Sequence, residues 1–139
     1  MNLLDQLKRE EGVVHHAYLD SLGYWTIGVG RLIDARKGGG LRSDEIDYLL
    51  NNDITARTYE VMAALPWAAT LSEPRQAVLV GMAFQMGTAG LLGFRTSLGH
   101  VERGEYGLAA ATMLKSLWSR QTPERAKRMA VQMETGEWQ

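Results

Sequence analysis

The residue order predicts an α+β fold, mostly helical, with a small antiparallel sheet near the N-terminus. Three observations carry this. Apolar residues recur at helical spacing over residues 3–11 and again from residue 43 onward. Between them, residues 17–33 are rich in Tyr, Trp, Thr, Ile and Val and are punctuated by Gly23, Gly28 and Gly30. The chain has 139 residues and no cysteine, so it has to fold around one hydrophobic core without disulfides.

Each element has a local cause. Leu3, Leu4 and Leu7 mark the first helix, and Gly12 stops it, giving a helix over 3–11. The Ala17–Ile33 block reads as two or three short antiparallel strands with turns near 20–23 and 28–30. Gly38, Gly39 and Gly40 form an exposed, flexible connector. Ser43 is the expected N-cap of a long helix carried by Ile46, Leu50, Ile54, Arg57, Val61 and Leu65, and Pro66 ends it. A further helix starts after Ser72, with Pro74 in its first turn, and reaches Gln85. Gly87, Gly90 and Gly93 break the next stretch into a short helix and turns. Two last helices are expected over 105–118 and 123–134, the second capped by Thr122 with Pro123 at its first position. The whole reads as one domain of 1–139. Its small lobe covers about 12–60, its helical lobe covers 61–139 plus the N-terminal helix, and the long helix joins the two.

Composition excludes several functional classes. Lys and Arg number 15 against 16 Asp and Glu, a net charge of -1, whereas dedicated nucleic-acid binders are strongly basic. Cysteine-ligated metal sites are excluded outright. His15 and His16 are adjacent and His100 is remote, so all three read as ordinary polar residues; no metal and no cofactor are expected. The first twenty residues hold no apolar stretch of the roughly 7–15 residues that a secretory signal needs. The longest uncharged apolar run, 77–84, falls short of the roughly 20 residues of a membrane span. Cytoplasmic synthesis and no stable membrane association are therefore expected. Cations cluster in Lys115, Arg120, Arg125, Lys127 and Arg128, a pattern that suits a solvated helix face or an anion-facing surface equally well.

Chemistry concentrates between residues 11 and 30. Glu11 ends the first helix, where the negative end of the dipole and any packing both oppose ionisation, which suits a general acid. Asp20 sits in a predicted turn with free backbone donors, where it stays ionised and serves as a base or electrostatic stabiliser. Two carboxyls in unlike environments are what glycoside hydrolysis requires. Spacing alone favours the plainer reading of a surface helix residue and a turn former.

The wider pattern shifts that balance. Arg9-Glu10-Glu11-Gly12, Tyr18-Leu19-Asp20 and Gly23-Tyr24-Trp25-Thr26-Ile27-Gly28-Val29-Gly30 resemble the phage lysozyme (endolysin) family. So do Phe84-Gln85-Met86-Gly87, Gly93-Phe94 with Ser97-Leu98, Gln121-Thr122-Pro123 with Arg125-Ala126-Lys127-Arg128, and Thr135-Gly136 with Trp138. The likeness spans nearly the whole chain. It implies a lysozyme-like two-lobed fold and a bacteriolytic glycoside hydrolase, a muramidase cutting the β-1,4 bond between N-acetylmuramic acid and N-acetylglucosamine in peptidoglycan. It implies Glu11 as proton donor, Asp20 as second carboxylate and Thr26 as holder of the attacking water, with inversion. It places Leu32, Phe84, Ser97 and Thr112 at substrate contacts, Thr112 where the pattern has Asn, and Arg125 beside the catalytic Glu. It also implies a monomer that waits in the host cytoplasm and reaches the wall through a holin. Two departures stand out: the 34–42 connector is short, and Arg31 replaces a His, with Asp53 its expected partner. Lytic transglycosylation and a non-catalytic peptidoglycan-binding module are the alternatives.

Overall fold

A computed structural model describes residues 2–139. The chain is an α+β protein, mostly helix, with one three-stranded antiparallel sheet, as predicted. It divides into two compact units, one ending at Leu49 and one running from Leu50 to Gln139.

The first unit opens with α1 (Leu3–Glu11), bounded as the sequence predicts. Asn2 caps it by accepting the Asp5 N–H at 2.9 Å, and Gly12, at φ 79°, turns the chain out of the helix. Leu3, Leu4 and Leu7, the stripe that identifies the helix, are exposed. Strands β1 (Val14–Leu19), β2 (Trp25–Gly28) and β3 (Arg31–Leu32) follow in sheet order β1-β2-β3. Tyr18 faces Thr26 and Leu19 faces Trp25, while Thr26 faces Leu32 on its other side. The sheet begins three residues before the expected Ala17, because Val14 already pairs with Gly28 across a register irregularity.

The connector differs from expectation: it is tied down rather than loose. Asp34 caps a single 3-10 turn at Ala35–Lys37 by accepting the Arg36 N–H. The Gly39 N–H then donates to the Asp34 carbonyl and the Gly40 N–H to the Leu32 carbonyl. A Cβ on Gly39 would sit 2.8 Å from the Asp34 nitrogen and the Leu32 carbonyl. Only glycine allows that approach.

Helix α2 (Ser43–Ala64) ends just before Leu65-Pro66, since proline has no N–H to continue the ladder. The boundary between the units falls inside it. In the second unit, Val61, Val78, Leu79, Met82, Leu91, Val101, Met113 and Met133 form a fully buried core. Helix α3 (Glu73–Leu92) outruns the predicted Gln85: Gly87 adopts φ 82° and ψ 157° inside it, and the helix resumes after this kink. Helix α4 (Arg95–Glu102) follows.

The single helix expected over 105–118 is two, α5 (Tyr106–Met113) and α6 (Leu117–Gln121). Ser116 makes the break, because its hydroxyl donates to the Met113 carbonyl and accepts the Ser119 N–H. Helix α7 (Pro123–Thr135) has proline at its first position, as expected. Thr122 makes no side-chain cap; its hydroxyl donates backward to the Trp118 carbonyl. Among the described residues no single helix is long and apolar enough to cross a membrane.

Candidate active site

Glu11 closes α1 and is exposed, so the packing expected to desolvate it is absent. Its position follows from the sheet register. Val14 pairs with Gly28, which brings the end of α1 alongside the turn between β2 and β3. There a Cβ on Gly30 would lie 3.6 Å from the Glu11 Oε2. Gly30 holds φ 66°, a left-handed conformation that disfavours a side chain and leaves the carboxylate open on that side.

Asp20 sits just past β1 in a tight turn, as its residue type predicts. Its Oδ1 accepts the Leu22 and Tyr24 N–H groups, each at 2.9 Å. Its main chain is also fixed, with Asp20 N–H donating to the Tyr24 carbonyl and Gly23 N–H donating to the Asp20 carbonyl. The turn therefore holds the carboxylate through one oxygen and leaves Oδ2 available for chemistry. Thr26 lies in β2, along the strand between the Gly30 turn and the Asp20 turn. It is buried, 4% exposed, and its hydroxyl donates to the Tyr24 carbonyl at 3.0 Å. Leu32 pairs with Thr26 from β3 and is half-buried. The first unit thus holds Glu11, Asp20, Thr26 and Leu32.

The second unit holds Phe84, Ser97, Thr112 and Arg125. Phe84 is 44% exposed on the wall of a cleft of about 510 Å³, which Arg125 and Trp138 also line. Arg125 donates to the Gly81 carbonyl at 3.2 Å. Ser97 is buried, and its hydroxyl meets that of Thr112 at 2.7 Å. Thr112 in turn donates to the Ala109 carbonyl, so Ser97 supplies the shared proton. Trp118 is buried, donates to the Gln85 amide oxygen and meets Phe94 edge-on.

Arg31 corrects one expectation. It pairs with Glu45, at 2.5 Å, and not with Asp53. Glu45 is held below the usual carboxylate range first by the Arg42 N–H and then by the Arg31 guanidinium, against some desolvation. Sequence reasoning also passed over Asp34 and Arg36. Asp34 is buried, and the Arg36 side chain, hydrogen-bonded to it, holds its carboxyl well below the usual range. A detectable signal was present: an Asp-x-Arg ahead of three glycines is a capped turn followed by a close backbone approach. Among the described residues no group of His, Asp and Glu could hold a metal ion.

Known proteins are similar to this chain along most of its length. The family model for phage lysozyme matches residues 8–131. The chain is 30% identical over 162 aligned positions to a protein of Dictyostelium discoideum called "Probable T4-type lysozyme 1", with 97% of this chain and 95% of that protein covered. A second protein from that organism, "Probable T4-type lysozyme 2", is 29% identical with the same coverage. The pre-baseplate central spike protein Gp5 of Enterobacteria phage T4 is 28% identical over 98% of this chain, which spans 28% of its length. With the family model covering most of its length, the chain belongs to the phage lysozyme family.

Proposed function

We propose that the protein is a muramidase that hydrolyses the β-1,4 bond between N-acetylmuramic acid and N-acetylglucosamine in peptidoglycan. The observation that carries this reading is the division of labour around Tyr24. Asp20 is fixed through Oδ1 by two backbone donors, so its Oδ2 remains as an acceptor. Thr26 gives its hydroxyl proton to the Tyr24 carbonyl, so its lone pairs remain to accept from water. A water donating one hydrogen to Thr26 and the other to Asp20 presents its own lone pair to the sugar. Glu11 protonates the glycosidic oxygen as the C1–O bond breaks. The water oxygen bonds to C1 from the opposite face, and Asp20 takes its proton.

In this role the enzyme acts as an endolysin. It stays a monomer in the host cytoplasm, reaches the wall through a holin-dependent route and lyses the cell. Leu32, Phe84, Ser97 and Thr112 are assigned as glycan contacts, and Arg125 as a supporting residue. The deciding experiment digests purified peptidoglycan with wild type beside Glu11→Gln and identifies the new ends by mass spectrometry. Reducing N-acetylmuramic ends from wild type and none from the variant are expected. An inert wild type overturns the reading, and 1,6-anhydro ends replace hydrolysis with transglycosylation.

A further inference from the structure

Asp34 is 6% exposed and uses both carboxylate oxygens. Oδ1 accepts the Arg36 backbone N–H and Nε–H, each at 2.9 Å. Oδ2 accepts Arg36 Nη2 at 2.7 Å and the Trp25 backbone N–H at 3.2 Å. Trp25 returns the contact, since its carbonyl accepts the N–H groups of Ile33 and Asp34. Arg36 reaches further. Its Nη2 also donates to the Gly23 carbonyl at 3.2 Å, and its guanidinium lies 5.3 Å from the centre of the Tyr24 ring.

These partners flank the chemistry without entering it. Trp25 directly precedes Thr26, and Gly23 belongs to the turn whose N–H groups hold Asp20. We propose that the Asp34–Arg36 pair is a positioning clamp, fixing the Asp20 turn against the strand that carries Thr26; this rests on the muramidase reading above. A bidentate Arg–carboxylate pair suits the task because its fork fixes direction as well as distance. Neither residue touches the reacting atoms, so the effect is felt in turnover, through the placement of a water and its base. A misplacement of about 1 Å is enough to cost roughly 100-fold in rate.

The test uses Arg36→Ala, Arg36→Lys, Asp34→Ala and the double variant Asp34→Ala/Arg36→Ala. The Arg36 side chain is 66% exposed, so removing it takes little from the interior. Each single variant is expected to lower kcat on solubilised peptidoglycan by roughly 10–100-fold with KM little changed. Lysine keeps the charge but lacks the fork, so Arg36→Lys is expected not to rescue. The double variant is expected to be no worse than the worse single, as for two residues acting as one unit. Amide hydrogen exchange at Leu22, Tyr24 and Trp25 is expected to quicken in folded Arg36→Ala. An active wild type whose kcat is matched by Arg36→Ala overturns the clamp, whether or not exchange quickens. An inert wild type overturns the muramidase reading itself, and the positioning role with it.

Discussion

Asp20 and Thr26 are joined through one atom. The Tyr24 carbonyl oxygen accepts the Asp20 backbone N–H at 2.9 Å and the Thr26 hydroxyl at 3.0 Å. Both residues are thereby referenced to the same peptide group at the start of β2, and neither depends on a long, freely rotating side chain. On the muramidase reading proposed above, a water held between them would be closely confined, as a single displacement requires.

Thr26→Val tests this directly. Valine keeps the shape and the strand preference but removes the hydroxyl. The Tyr24 carbonyl retains the Asp20 N–H, so no buried acceptor is stranded. Unfolding free energy is expected to fall by about 1 kcal/mol or less. Turnover on purified peptidoglycan is expected to fall roughly 100-fold. Urea melts and initial rates on one preparation separate the two effects. A variant that is stable and fully active removes Thr26 from the chemistry.

The Asp34 carboxyl makes acid sensitivity a second handle. Its folded-state pKa lies below the ordinary range because the Arg36 side chain donates to it, with the Arg36 and Trp25 N–H groups adding to the effect and burial opposing it. A lowered pKa means a contribution to stability that is fully present above the unfolded value of about 3.9 and is lost as pH falls through the folded one. The stability gap between wild type and Asp34→Asn is therefore expected to be widest at neutral pH and to narrow steadily in acid below about pH 4. Denaturant titrations across that range measure it. Glu45, Glu60 and Glu105 are lowered too, but they are common to both proteins and drop out of the difference. A gap that does not change with pH contradicts the assignment.

Much of the fold was legible in the residue order, for identifiable reasons. The end of α1 followed from Gly12 and the end of α2 from Pro66, because helix stops and proline act within a few residues of themselves. What escaped depended on side chains that bond at a distance or in an unexpected direction. Ser116 splits a helix by capping a new one, and Thr122 bonds backward rather than forward. Glu11, Asp20 and Thr26 stand out as candidates only through the family pattern, since their residue types are common in such places. The Asp34–Arg36 pair lay in a stretch read as loose because three glycines follow it. In the structure Gly39 is there for close approach, not mobility.

That reading of Gly39 predicts opposite outcomes at two glycines. In Gly39→Ala the new Cβ meets backbone atoms at 2.8 Å, which cannot move aside as a side-chain tip can. A loss of about 1–3 kcal/mol is expected, as for overpacked sites. Gly81 lies within α3, and a Cβ there meets nothing within 4 Å. Gly81→Ala is expected to gain up to about 1 kcal/mol from helix propensity. Thermal melts of the two variants beside wild type suffice, and equal shifts of one sign contradict the assignment.

The stereochemistry of cleavage is the sharpest consequence of the Tyr24 arrangement. If Thr26 and Asp20 hold a water, that water attacks C1 from the face opposite the departing oxygen, and a β-linked sugar emerges as the α-anomer. If instead the free Oδ2 of Asp20 attacks C1, a glycosyl-enzyme forms, and its hydrolysis returns the β-anomer. The muramidase reading proposed above expects the first course: Asp20 Oδ1 is held by the Leu22 and Tyr24 N–H groups, and Oδ2 remains to accept a proton from a water. The buried Thr26 hydroxyl, with its proton committed to Tyr24, is oriented as an acceptor toward any water beside it. Proton NMR on a fresh digest, recorded before mutarotation, is expected to show α-anomeric N-acetylmuramic ends first and β later. β-anomer in the earliest spectra reassigns Asp20 as the nucleophile and leaves Thr26 with a structural role alone.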